Sequence, residues 1–130
     1  MLRVGLVMAV LALGPMEAAA ACLRYDAPEQ LAGTLTRRPV PGVKGPQVYW
    51  YLRLDRPACV DAKPGSAGVN AARDAVREIQ LELPHEVYSR VVSLPDTRVV
   101  AAGTLFGANP GPHATPVMMR VRELRRADAR

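Results

Sequence analysis

The amino-acid sequence predicts a small, mainly β domain: an OB-fold-like five-stranded barrel with one helix between strands three and four. Three observations carry that expectation. Residues 47–55 and 77–84 alternate apolar and polar side chains, the pattern of half-buried strands. Residues 84–94 switch to helical spacing. The order of elements from residue 30 onward is then strand, strand, strand, helix, strand, strand.

The chain begins with a segment read as a targeting signal rather than structure. Arg3 supplies a positive start, Val4 to Leu13 is an apolar run broken by Gly14-Pro15, and small residues lead to Ala21-Cys22. This is the layout of a secretory signal peptide, and the run is too short to cross a bilayer as a stable helix. The organisation expected is a signal peptide over 1–21, an OB-like barrel domain over 22–124, and a basic C-terminal tail over 125–130. The location expected is periplasmic or secreted. Lipoprotein signals usually carry a larger aliphatic residue three positions before the cysteine. Here that position is Ala19, which favours the unlipidated form and leaves a lipid anchor on Cys22 as the alternative.

Each barrel element has its own signal. In "QLAGTLTRR", residues 30–38, Leu31, Gly33 and Leu35 share one face, and the glycine marks a bend or bulge. "PVPGVKGP", residues 39–46, has the prolines and glycines of a loop. In "QVYWYLRLD", residues 47–55, Val48, Trp50, Leu52 and Leu54 are expected to face the core. Tyr49, Tyr51, Arg53 and Asp55 then face the other way. Residues 56–75 read as a polar connection, with a short helical turn in "VNAARDAVRE". In "REIQLELP", Ile79, Leu81 and Leu83 oppose Glu78, Gln80 and Glu82. In "PHEVYSRVVSL", Pro84 suits a first helical turn, and Val87 and Val91 lie one turn apart with Tyr88 and Val92 beside them. Residues 98–107 and 115–124 supply the last two strands. The four residues Ala-Gly-Thr-Leu occur at both 32–35 and 102–105. In an OB-fold the first and fourth strands pair, and both need small residues where they curve.

Charge and cysteine content narrow the function classes. Lys and Arg number 17 against 12 Asp and Glu, a formal net charge of +5, with much of the excess in "RVRELRRADAR". A basic end suits an acidic partner, anionic lipid or nucleic acid, or is simply a solvated terminus. The two cysteines, Cys22 and Cys59, allow one intramolecular disulfide, with lipidation of Cys22 or two free thiols as alternatives. Neither lies in a C-x-x-C motif, so redox catalysis has little support. There is no G-x-S-x-G elbow and no phosphate-cradling glycine loop. One loop histidine, His113, with distant carboxylates has no metal-ligand spacing, so neither a metal nor another cofactor is expected.

The strongest candidate site is Tyr49, Tyr51 and Arg53, with His113 as at most one further contact. OB-folds bind oligonucleotides and oligosaccharides across this region of the barrel, tyrosines two apart can stack on rings, and an arginine can hold an anion. The competing reading buries these side chains under a neighbouring element. Export argues against nucleic acid as the physiological target. The expected role is therefore a non-catalytic module for an envelope glycan, an anionic or other small ligand, or an envelope protein. The alternative is a small enzyme whose site assembles only in the fold. A membrane is a partner only if Cys22 is lipidated.

The pieces "CLRYDAP", "LAGTLTRR", "YWYLRLDRPACV", "VREIQLEL" and "GTLFGANPGPHATPVMMRV" resemble, in that order, a secreted bacterial family, domain of unknown function 4431. The resemblance implies export and a small β-rich domain, and it implies no activity. Members of that family often carry several histidines in the last loop, where this chain has His113 alone.

Overall fold

A computed structural model describes residue 5 and residues 21–66, 68–108 and 114–127. Among the described residues the chain is mainly β with one short helix: β1 (Leu23–Arg24), β2 (Pro28–Gly42), β3 (Gly45–Asp61), β4 (Arg73–Glu82), α1 (His85–Val91), β5 (Arg98–Gly107) and β6 (Val117–Arg126). The strands form one sheet in the order β1-β3-β2-β5-β6-β4, and β3 also pairs with β4. Strands β2 to β6 therefore form a hydrogen-bonded ring. The ring closes where β4 meets β6 in parallel, Gln80 opposite Met118 and Glu82 opposite Arg120.

The curvature that makes a ring possible comes from β2. Its first half, Pro28 to Thr34, pairs with β5, and its second half, Gly33 to Gly42, pairs with β3. The handover falls on Gly33, opposite both Leu54 and Val99. A Cβ there would lie 2.3 Å from the Arg53 carbonyl oxygen, so only glycine lets the strands approach this closely. Gly103, in the second Ala-Gly-Thr-Leu, stands in the same relation to β6: its Cβ would lie 2.1 Å from the Arg120 oxygen. The echo in the sequence thus marks the two close approaches of a paired first and fourth long strand.

Inside the ring, Leu31, Leu35, Trp50, Leu52, Ile79, Leu81, Leu105 and Met119 form one buried cluster. Helix α1 adds Val87 and Val91 to it, as the spacing predicts, and leaves Tyr88 and Val92 exposed. Burial of each such aliphatic side chain stabilises the fold by about 1.5–3 kcal/mol.

Four expectations need correction. Residues 39–46 are not an irregular loop: the β2–β3 pairing continues through Pro39–Val48 and Pro41–Pro46 to a two-residue turn at Val43-Lys44. The prolines fit because of register. Leu35 turns both its N–H and its C=O away from β3, to Asp96 and Thr97, so Pro39 and Pro41, at the same parity, place their ring nitrogens on the open edge. Missing donors there cost no ladder bond and discourage strand addition. Because this hairpin runs past the ring, Val48 is 40% exposed rather than in the core.

The second correction is the connection 56–75. Strand β3 continues to Asp61, shifting register against β4 between Arg53 and Ala58, and β4 begins at Arg73. The helical turn read there is absent, with "RDAVRE" extended in β4. Third, β1 was missed. It is two residues long, parallel to the end of β3, and covalently held there by the Cys22–Cys59 disulfide. Fourth, β6 runs to Arg126, past the 124/125 boundary drawn from sequence.

Candidate functional site

The outward face of β3 carries Tyr49, Tyr51 and Arg53, as alternation requires, but the three side chains differ. Tyr51 is only 2% exposed although it lies outside the core cluster. Arg38, on the neighbouring β2, lays its guanidinium 4.3 Å from the Tyr51 ring centroid and ion-pairs with Glu78 of β4. Arg38 and Glu78 thus flank Tyr51 from both neighbouring strands. Burial pushes the Tyr51 hydroxyl pKa above its ordinary value, Glu78 and Tyr49 add to that, and Arg38 opposes it. Beside it, Gln80 is 7% exposed and its Oε1 has no hydrogen-bond partner. Tyr51 is therefore closed off from an incoming ring. Tyr49, half-buried, donates its hydroxyl to Gln47 Oε1 at 3.1 Å, and Arg53 is exposed. The face brings the three together along one strand and leaves Tyr49 and Arg53 accessible. His113 lies outside the described residues, as does the proposed signal segment apart from Gly5 and Ala21.

A different place in the fold forms a concavity. Where the chain passes from β4 into α1, Glu82, Leu83, Pro84 and Glu86 stand across from Gly103 and Thr104 of β5 and Arg120, Val121 and Arg122 of β6. They enclose a groove of about 510 Å³. Its shape depends on a β-bulge. Ala102 pairs with Glu123 and Gly103 with Val121, so Arg122 is the extra residue, unmatched across the ladder. A bulge bends its strand and re-aims a side chain. Gly103 permits it, since its bare Cα accommodates the Arg120 carbonyl.

The charges in the groove are of both signs. Arg120 Nε donates to Glu82 Oε1 at 3.1 Å, and its guanidinium stands 5.1 Å from the Phe106 ring centroid. Arg122 and Glu86, both exposed, have no ion-pair partner among the described residues. Leu83 and Pro84 supply apolar surface, and Val121, 1% exposed, lies beneath the floor as part of the core. Such a groove suits an amphiphilic small molecule: apolar lining for its body and a few charged groups to orient it. No group of three or more His, Cys, Asp or Glu side chains able to hold a metal occurs among the described residues.

Sequence reasoning did not find this groove. Its residues come from three separated segments, and the alternation of residues 77–84 places Glu82 only on an outer face. The second Ala-Gly-Thr-Leu was the available signal, because a strand glycine also marks a bulge.

Residues 78–125 match the family model described as Domain of unknown function (DUF4431), the family that the sequence resembles. Among solved structures, the chain is similar to the small single-stranded DNA-binding protein from Streptomyces coelicolor, at 17% identity and a TM-score of 0.46. That match covers 77% of this chain and 91% of the other. No curated protein matches the chain.

Proposed function

We propose that this protein is an exported, non-catalytic binding module, an OB-fold-like barrel that works in the periplasm or beyond and holds a small ligand in the groove between the β4–α1 connection and β5–β6. The observation that carries the reading is the groove itself: a concavity of about 510 Å³ that joins apolar lining to guanidinium and carboxylate groups. Its volume falls within the roughly 300–1,000 Å³ usual for small-molecule sites. The leading sequence and the Cys22–Cys59 disulfide support export, since disulfides persist in oxidising compartments.

The test is a titration of the ¹⁵N-labelled mature chain with a small-fragment library, read by amide shifts and repeated on Thr104→Trp. Thr104 is half-buried and lines the groove, so the larger ring fills it while leaving the core cluster intact. Hits that move Gly103, Thr104 and Val121 and vanish in the variant are the expected result. Hits confined to other surfaces, and indifferent to the filled groove, would refute the site.

A further inference from the structure

The four charged side chains of the groove divide into a satisfied pair and two open ends. Arg120 is engaged by Glu82 and stands over Phe106. Arg122, delivered by the bulge, and Glu86, in the first turn of α1, line the same groove and pair neither with each other nor with any other described residue. We infer that the groove takes a small zwitterion, a free amino acid or short peptide with both termini charged, its carboxylate on Arg122 and its ammonium group toward Glu86. This rests on the groove being the ligand seat proposed above.

Charge balance selects the class. Among the described residues, two guanidinium groups and two carboxylates line the groove. A simple anion would gain Arg122 but face Glu86 uncompensated, and a simple cation would meet the reverse. A ligand bearing both charges neutralises both open ends, and charge-assisted hydrogen bonds to a carboxylate are a guanidinium's strongest interaction. Arg122 and Glu86 do not reach each other, so the ligand must bridge a gap. An extended dipeptide places its charged ends about 7 Å apart. Its body then meets the half-buried Leu83 and Pro84.

The experiment is an amide-shift titration of the disulfide-bonded mature chain with alanyl-leucine, its N-acetyl form and its C-terminal amide, on the native protein and on Arg122→Gln, Glu86→Gln and Thr104→Trp. The expected result is saturable movement of Gly103, Thr104 and Val121 by the free dipeptide, abolished by Thr104→Trp, with each blocked form at least tenfold weaker. Arg122→Gln should erase the preference for a free carboxylate and keep that for a free amine, and Glu86→Gln should do the converse. Equal binding of free and blocked forms would overturn the zwitterion and leave the groove standing. No groove shift from any form would also overturn it; the fragment library then decides separately whether the groove binds anything.

Discussion

Replacing Gly33 or Gly103 by alanine tests the physical basis of the ring directly. Neither glycine has a positive φ, so alanine is conformationally permitted at both, and the cost must come from contact alone. A Cβ at Gly33 would lie 2.3 Å from the Arg53 oxygen and 2.9 Å from its carbon; at Gly103 the corresponding distances to Arg120 are 2.1 and 2.9 Å. Ordinary van der Waals contact begins near 3.4 Å. The partner strand must therefore retreat by about 1 Å, and the obstacle is backbone, with no rotamer to change. Overpacking of this kind costs typically about 1–3 kcal/mol, and the backbone obstacle places both sites at the upper end. The smaller unfolded-state entropy of alanine returns about 0.4–1 kcal/mol. Each variant should thus lose about 2 kcal/mol. Urea denaturation of the disulfide-bonded chain over residues 22–130 reads the change as a lower midpoint at constant m, and thermal melting as a fall of roughly 10 °C. Thr34→Ala, one residue along and half-buried, should cost under about 1 kcal/mol and serves as the control. Both glycine variants within about 0.5 kcal/mol of the native chain would show that strand contact does not hold the ring's curvature, and the reasoning would fail.

Other outcomes follow from the same geometry. The disulfide spans 37 residues of sequence. The chain-entropy relation gives about 4 kcal/mol for a loop of that length, so Cys22→Ser with Cys59→Ser should lower the urea midpoint correspondingly; an unchanged midpoint would mean that β1 docks without the bond. Tyr25 and Tyr51 both have hydroxyl pKa values raised in the fold, chiefly by burial, with Arg73 opposing at Tyr25 and Arg38 at Tyr51. A raised folded pKa contributes stability that is present below the unfolded value, near 10, and lost as pH rises through the folded one. Stability should therefore fall above pH ~10, less steeply in Tyr51→Phe, as followed by denaturation at stepped pH. Asp55 behaves oppositely: the Arg98 hydrogen bond lowers its pKa, so its contribution is present above the unfolded value and is lost as pH falls through the folded one. Asp55→Asn should leave neutral-pH stability nearly unchanged and slightly flatten the acid limb.

What was legible in the sequence was whatever repeats at a fixed interval along one strand or helix. Ile79 and Leu81, Val87 and Val91, and Leu31 with Leu35 declare their buried faces by spacing alone, and all are in the core. The proline-rich hairpin was misread because composition was weighed without register. Pro39 and Pro41 would break a central strand, but on an open edge their missing donors are harmless, and only the pairing says which side is open. Strand β1 was invisible for another reason: two residues show no periodicity, and a covalent bond sets their place.

The site followed the same division. Alternation placed Tyr49, Tyr51 and Arg53 on one outward face, and that placement holds. Whether an outward residue is available depends on the next strand, which no period within β3 encodes. Arg38 decides the matter for Tyr51. A guanidinium over a ring is worth about 0.5–1 kcal/mol at an exposed site, and its ion pair with Glu78 holds it in position. A ligand stacking on Tyr51 must first displace that arrangement. The groove faces no such competitor: Arg122 and Glu86 are already solvated, so a ligand there exchanges water for charge-assisted contacts without breaking a bond within the protein. Arg38→Ala separates the two surfaces. It removes the side chain lying over Tyr51, so it should uncover the ring and create aromatic binding on the β3 face, while leaving groove binding unchanged. Loss of groove binding in Arg38→Ala would mean that the two are one site, contrary to the geometry.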